Sequence, residues 1–192
     1  MIEANLPIYL ASKSPRRRKL LKQINLKFKS FSVDMEEKIK PREKPSISVK
    51  RLSKEKLEIA RQKINHGIII TADTIVVLNR KIIGKPKDKK EAKKFLKKLS
   101  GKVHAVYTGF SIYNSENKML LTDYEKTFVE FRKLNAKEID DYIKSGSPMD
   151  KAGAYGIQDD FGAVFIKKIN GCYYNVVGLP LTRVYQTLMK II

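Results

Sequence analysis

The sequence predicts an α/β fold with a mixed, mostly elongated sheet flanked by helices. Apolar runs rich in β-branched residues, such as 68–72 and 74–78, alternate with segments of helical period. Two long alternating segments, 102–113 and 119–131, surround a short polar turn and predict an antiparallel hairpin. Strands joined through helices usually pair in parallel, so the hairpin makes the predicted sheet mixed.

Each element has its own signal. Ser14 is suited to cap a first helix and Pro15 to occupy its first turn, while Asp88 is suited to cap a later one. Gly67 and Gly101 are suited to follow helix ends. The expected elements, in order, are a strand at 7–11, a helix at 16–23, a strand at 26–33, a helix at 47–64, strands at 68–72, 74–78 and 81–83, a helix at 88–99, the hairpin, a helix at 135–145, a strand at 162–169 and a helix at 181–191.

Length and composition predict one folded domain over residues 1–192. No repeat or low-complexity linker divides the chain, and 42% hydrophobic residues are enough for a globular core. The single cysteine, Cys172, excludes an intrachain disulfide and suits a reducing compartment. The N-terminal segment lacks the pattern of a signal peptide, and the apolar runs are too short to span a bilayer. We therefore expect a cytoplasmic protein that does not bind membranes.

The net charge of +20 allows two interpretations. It indicates either an anionic partner, nucleic acid or a phosphorylated small molecule, or a general enrichment of lysine on solvated helix faces. Binding to nucleic acid would need a basic stripe with exposed aromatic residues or a known reading motif, and the sequence shows neither. We expect no stable nucleic-acid partner, but a basic nucleic-acid-binding protein stays the alternative function.

Three arginines, Arg16, Arg17 and Arg18, follow the predicted cap of the first helix. Cations are unfavourable there because the helix dipole and the free N–H groups already make the potential positive. This segment therefore indicates either a phosphate site completed by a bound anion or a basic helix start screened by solvent.

Asp73 interrupts an otherwise apolar strand region. A carboxylate in such a place must be paired, bound to a metal or displaced to a strand end, because burying it alone is costly. A metal ligand or general base is one interpretation, and an aspartate that accepts from local amides is the other.

Two further segments carry weaker signals. Pro86 keeps Lys85 extended, which suits either a phosphate-binding ammonium or an ordinary solvated lysine. The glycine-containing segment before Gln158 allows close approach of a ligand, and the Gln158 amide matches the imide edge of uracil or thymine. A structural turn is the alternative. Both histidines, His66 and His104, are expected to be structural.

Taken together, the chain resembles the Maf family of nucleotide pyrophosphatases. The matching segments occur in the family's order over nearly the whole chain: LASKSPRRRKLL, RLSKEKLEIA, TADTIVV, GKPKDKKEA, LSGKVHAVYTGF, DKAGAYGIQ and YYNVVGLPL. The resemblance implies a fold like that of inosine triphosphate pyrophosphatases, with two lobes and a central cleft, and a homodimer. It also implies hydrolysis of the α–β phosphoanhydride of nucleoside triphosphates with a divalent cation, Mg²⁺ or Mn²⁺, as cofactor.

The resemblance also implies roles for single residues. The branch of the family that hydrolyses dTTP and UTP is similar to this chain at the specificity positions Arg16, Thr74 and Gln158. The catalytic aspartate carries over to Asp73, which is implied to act as general base or metal ligand. The remaining matches near phosphate and metal are Ser14, Arg17, Lys56 and Lys85 for phosphate, and Glu37 with Asp73 for metal.

Two departures from the family pattern stand out. Asp159-Asp160 replaces a usual glycine after Gln158 and adds negative charge beside the expected base pocket. Leu57 replaces a usual alanine, which we interpret as a packing change. The expected function is the conversion of dTTP, UTP and modified pyrimidine triphosphates to monophosphate and pyrophosphate, a house-cleaning role. A septum or cell-division regulator without catalysis is a further alternative.

Overall fold

The computed structural model describes residues 4–158 and 161–192. Its seven-stranded sheet has the order β2-β1-β3-β5-β6-β7, with β4 paired to β3. The strands are β1 Ile8–Ala11, β2 Lys29–Phe31, β3 Ile68–Leu78, β4 Lys81–Ile83, β5 Val103–Asn114, β6 Leu120–Phe131 and β7 Ile166–Asn170. The helices are α1 Pro15–Gln23, α2 Pro45–Arg61, α3 Lys89–Leu99, α4 Ala136–Lys144, α5 Tyr173–Val177 and α6 Leu181–Ile191.

The sheet is mixed, as the sequence predicted. β1 pairs in parallel with β2 and β3, whereas β4 is antiparallel to β3 and β7 to β6. The β3–β4 hairpin turns at Asn79 and Arg80, which both have positive φ, 49° and 63°. Two successive positive φ values are what a tight two-residue hairpin turn requires.

Some predicted boundaries were wrong. The strand expected at 26–33 is only three residues long, and the strand expected at 162–169 begins at Ile166 because 3-10 turns occupy Phe161–Phe165. The two strands expected at 68–72 and 74–78 form one continuous strand, because Asp73 is accommodated inside it. The short helix α5 was not expected from the pattern.

The chain divides into two compact, interleaved units. Unit 1 comprises the chain up to Asp73 together with Thr108–Glu125 and Gly178–Ile192, and unit 2 comprises Thr74–Tyr107 and Lys126–Val177. Neither unit is a continuous segment, since each takes part of β3, β5 and β6. The single domain over residues 1–192 and the cleft stay predictions.

Unit 1 has a core between strands and α2. Leu57 and Ala60 of α2 pack with Ala11, Ile69 and Tyr113 of the sheet, all buried. Leu57 is completely buried, which agrees with its interpretation as a packing residue. β5 comes so close to α2 that a Cβ on Gly109 would lie 2.3 Å from the Val49 carbonyl oxygen.

Unit 2 has an apolar cluster of its own. It is formed by one face of α3 and α4 and by the strand segments and loops of this unit, with Leu96, Phe131, Tyr142, Tyr155 and Phe165 among its buried members. Asn135 and Glu138 form a capping box at the start of α4. None of the helices in the described parts of the chain is both long and apolar enough to cross a membrane.

Candidate active site

Asp73 lies in the middle of β3 and is 2% exposed. Its Oδ1 accepts a hydrogen bond from the Lys56 ammonium, so the carboxylate is paired rather than displaced to a strand end. Burial raises the pKa of the Asp73 carboxyl above its ordinary value, and the Lys56 charge opposes this effect. Asp73 is therefore a buried acid paired to an ammonium, and its role as general base or metal ligand stays a prediction.

Lys56 is held between two carboxylates. It projects from α2, and its side chain is 11% exposed. Its Nζ also donates to Glu37 Oε1 at 2.7 Å, from the loop between β2 and α2. The ammonium therefore balances a buried and a half-exposed acid, which lowers the cost of keeping Asp73 ionised away from water.

The second oxygen of Asp73 is not satisfied within the described chain. Asp73 Oδ2 is buried and has no hydrogen-bond partner among residues 4–158 and 161–192. Buried carboxylate oxygens normally accept from a donor or bind a cation. This atom is therefore suited to meet a water molecule, a metal ion or a substrate.

The start of α1 matches the sequence prediction. Ser14 is the N-cap, with its hydroxyl accepting from the Arg17 N–H at 3.4 Å, and Pro15 occupies the first turn. Arg16 follows, half-buried, and α1 has no acidic residue in its first turn. The dipole and the arginine charges thus add up to a positive potential that favours an anion.

Arg17 makes contacts that sequence reasoning missed. Its Nη1 donates to the Ala72 carbonyl oxygen at 2.8 Å, and its Nε donates to the Gly178 carbonyl oxygen at 2.8 Å. Burial lowers the pKa of the guanidinium, against the charges of Asp73 and Glu37. Arg17 therefore fixes the backbone next to Asp73, besides any contact with a phosphate.

A neighbouring hydroxyl was also missed. Ser12 Oγ accepts from Arg17 Nη1 at 3.3 Å and from the Ser14 N–H at 3.2 Å, so it orders the turn that leads into α1. The sequence signal was a single serine at the end of a strand, which does not identify its partners.

Within unit 1, therefore, the contacts join Glu37, Lys56 and Asp73, and Arg17 acts electrostatically on both acids. Ser14 joins this group through its bond to Arg17.

Three predicted site residues belong to unit 2. Thr74 follows Asp73 in β3 and is half-buried, and Lys85 is exposed in the irregular segment after β4. Gln158 ends the glycine-containing loop at residues 151–158, and its Oε1 is buried without a hydrogen-bond partner among the described residues. Asp159 and Asp160, which were expected to add negative charge beside the base pocket, lie outside the described residues.

The acidic residues offer few ligands for a metal. Among residues 4–158 and 161–192, no group of three or more His, Cys, Asp or Glu side chains could hold a metal ion. What exists is the pair Asp73 and Glu37 on either side of the Lys56 ammonium. Two carboxylates suit Mg²⁺ or Mn²⁺, since such ions keep several waters and take further oxygens from phosphates.

Comparison with protein families gives a match over most of the chain: a family model described as Maf-like protein covers residues 7–191. The dTTP/UTP pyrophosphatase of Syntrophomonas wolfei is 45% identical over 181 residues, which is 94% of this chain and 95% of that protein. The dTTP/UTP pyrophosphatase of Thermosipho melanesiensis is 48% identical over 183 residues, 95% of this chain and 97% of that protein.

Among solved structures, a HAM1 protein from Coxiella burnetii has a similar fold. Its TM-score is 0.54, with 15% identity, and the match covers 96% of this chain and 99% of that chain. At this identity the likeness concerns the fold alone.

Proposed function

The chain belongs to the Maf family of Maf-like proteins, and from this premise we propose that it is a nucleoside triphosphate pyrophosphatase that hydrolyses dTTP and UTP. The names of its relatives support the substrate, since proteins 45% and 48% identical to it are dTTP/UTP pyrophosphatases. The structural observation that carries the proposal is Asp73, a buried acid with one oxygen paired to Lys56 and the other without a partner in the described chain.

In this proposal Asp73 is the general base. Its Oδ2 takes a proton from the water that attacks phosphorus, most simply at the α-phosphate, and the raised pKa of the carboxyl makes it a better proton acceptor. Lys56 holds Oδ1 and thereby orients the carboxylate, while Arg17 holds the carbonyl oxygen of the preceding residue, Ala72. The chain thus holds the Asp73 carboxylate, the proposed general base, from two sides.

The phosphates would be bound by cations and N–H groups. Ser14, Arg16 and the N-terminus of α1 form a positive site in unit 1, and Arg17 adds its charge. Lys56 is a further ammonium group of unit 1, and Lys85, exposed in unit 2, keeps its assignment to phosphate from the family resemblance alone. Such groups stabilise the charge that develops on the leaving pyrophosphate.

A divalent cation fits the acids present, and Asp73 Oδ2 with the Glu37 carboxylate are the residues that would hold it. When bound, Mg²⁺ or Mn²⁺ supplies charge neutralisation and polarisation of phosphate oxygens. A tight bond from Asp73 to a metal competes with its role as a base, so direct and water-mediated binding remain distinct alternatives.

Base recognition is assigned to Gln158, with Thr74 and Arg16 as the other specificity positions. The buried Gln158 Oε1 needs a donor, and the ring N–H of uracil or thymine supplies one while the adjacent carbonyl accepts from the amide nitrogen. Cytosine lacks this N–H in its neutral form. The loop at residues 151–158 is called the base-reading loop below.

The test of this function is pyrophosphate release from a panel of triphosphates by wild type, Asp73→Asn and the control Asp123→Asn. Asp123 is a half-exposed acid of β6 that pairs with Arg183. We expect Asp73→Asn to fold but to lose about a hundredfold or more in turnover, the scale of a lost general base. Asp123→Asn should turn over normally.

Near-normal turnover of folded Asp73→Asn would refute the role of Asp73 as general base. Absence of pyrophosphate release from every triphosphate, with Mg²⁺ and with Mn²⁺, would refute the function itself. A homodimer and the absence of a nucleic-acid partner stay predictions.

A further inference from the structure

The base-reading loop has little regular structure of its own. After the 3-10 turn at Ala152–Ala154, residues 155–158 are irregular up to Gln158. Gly153 and Ala154 both have positive φ, 75° and 62°. This region is unfavourable for alanine and persists where the surroundings hold it. Something outside the loop must therefore fix its path.

A buried polar pair fixes Tyr155, three residues before Gln158. The Tyr155 hydroxyl and His104 Nε2 lie 2.7 Å apart, and the two residues are 5% and 2% exposed. His104 belongs to β5. Phe131 packs edge-on against both rings, with centroids 4.7 Å from Tyr155 and 5.0 Å from His104.

A second tyrosine fixes the next residue of the loop. The Gly156 N–H donates to the Tyr142 hydroxyl at 3.2 Å, and Tyr142 projects from α4, 2% exposed. On the other side, the Gly153 N–H donates to the Gly84 carbonyl oxygen at 3.0 Å. Gly84 precedes Lys85, so the same loop is tied to the segment of a proposed phosphate-binding lysine.

The polar groups of His104 and Tyr155 are not needed to fill the core. Burial lowers the pKa of His104 to about 4 and raises that of Tyr155, so both side chains are neutral at physiological pH. Apolar residues of similar size would fill this space without the cost of desolvating an imidazole and a phenol. What a hydrogen bond adds to packing is direction, and a buried polar contact favours one arrangement over its neighbours.

We propose that the His104–Tyr155 hydrogen bond, together with the Tyr142 hydroxyl, positions the base-reading loop so that Gln158 meets the imide edge of a uracil or thymine nucleotide. His104, Tyr142 and Tyr155 are positioning residues that act through Gln158. This inference rests on the proposed function and deepens it, since it names what makes the base recognition selective.

The experiment compares pyrophosphate release from UTP and CTP by wild type, Tyr155→Phe, Gln158→Ala and the control Tyr113→Phe. Tyr113 is another buried tyrosine, in the unit 1 core, whose hydroxyl accepts a 3.5 Å contact from Arg61. The readout is the ratio of kcat/KM for UTP to that for CTP. We expect Gln158→Ala and Tyr155→Phe to lower this ratio about tenfold, the scale of one hydrogen bond left unmade.

The expected change in Tyr155→Phe is a higher KM for UTP with a smaller change in kcat, because the loop would bind the base less well while Asp73 is untouched. Tyr113→Phe should keep the wild-type ratio. A double variant, His104→Phe with Tyr155→Phe, separates positioning from stability. It leaves no unpaired polar group, so it should recover thermal stability relative to Tyr155→Phe but keep the low ratio.

The possible outcomes separate this inference from the function on which it rests. If wild type releases pyrophosphate from no triphosphate, the proposed function fails and the inference with it. If wild type prefers UTP and Gln158→Ala loses that preference, but folded Tyr155→Phe keeps it, only the positioning role is overturned. A double variant that recovers the ratio together with stability would also overturn it.

Discussion

At the scale of single residues, Asp73 shows how an ionisable group is kept inside a sheet. Its sequence neighbours say only that the carboxylate needs a partner, because a bare buried charge is too costly. Lys56, which lies 17 residues earlier on α2, is that partner, and Glu37 contacts the same ammonium. A spacing of 17 has no local meaning, so the pairing follows from the packing of α2 against the sheet.

A second prediction for a single residue concerns His104 and the stability of the protein at acid pH. Burial lowers its pKa from 6.5 to about 4, so the unfolded chain binds the additional proton between these values. Stability is therefore retained above pH 6.5 and lost as the pH falls toward 4. At about 1.4 kcal/mol for each pH unit, His104 contributes a loss of about 3 kcal/mol over this window.

Urea unfolding at pH values from 7 to 4 measures this loss. His104→Gln keeps a polar side chain but does not titrate, so its free energy of unfolding should fall about 3 kcal/mol less than that of wild type. The carboxylates titrate in both proteins and cancel in the comparison. If the free energy of unfolding falls equally with pH in wild type and in His104→Gln, His104 is not buried in its neutral form.

At the scale of elements, a helix and a strand approach each other where one residue has no side chain. Gly109 of β5 faces the backbone of α2, and an added Cβ would lie 2.3 Å from the Val49 oxygen and 2.4 Å from its carbonyl carbon. The clash is with backbone, which cannot rotate away. The Lys56 side chain starts from this same helix, so the spacing of β5 and α2 also affects the site.

Gly109→Ala should therefore destabilise the protein and weaken catalysis. Overpacking typically costs about 1–3 kcal/mol, and a clash with backbone belongs at the upper end. Thermal melting and pyrophosphate release would measure the two effects. Gly84→Ala is the control for stability, because in the part of the chain that the structure describes no heavy atom of a non-neighbouring residue lies within 4 Å of an added Cβ at Gly84. An unchanged melting temperature for Gly109→Ala would contradict the close packing.

At the scale of the whole molecule, the net charge of +20 is the dominant property. The local site needs only a few of these cations, and most surface acids among the residues that the structure describes are paired, for example Asp140 with Lys93. The remaining lysines repel one another, which destabilises the compact state. The cytoplasmic location, the homodimer and the single domain over residues 1–192 are also properties at this scale and stay predictions.

Screening should accordingly raise the melting temperature. Between about 0.01 M and 0.15 M NaCl the screening length falls from about 30 Å to about 8 Å, so repulsion across the surface weakens. For a chain of this length we expect a gain of about 2–4 °C for each kcal/mol of repulsion removed. Chloride is preferable to phosphate or sulfate, which would bind the proposed anion site. A melting temperature that falls with NaCl would show that ion pairs outweigh repulsion.

Local patterns in the amino-acid sequence were sufficient to predict the alternation of strands and helices, the cap at Ser14, the family and the candidate residues. These follow from local rules, since hydrophobic period, capping and turn chemistry act over a few neighbouring residues. The short strand β2 and the late start of β7 were missed because strand length depends on the partner strand.

The folded structure was needed to show which of the candidate residues are in contact. It paired Lys56 with both Asp73 and Glu37, directed Arg17 to two backbone carbonyl oxygens, and connected His104 to Tyr155. The physical reason is that electrostatic and hydrogen-bond energies depend on distance in space. Folding sets that distance for residues far apart in the chain, and no local pattern in the sequence encodes it.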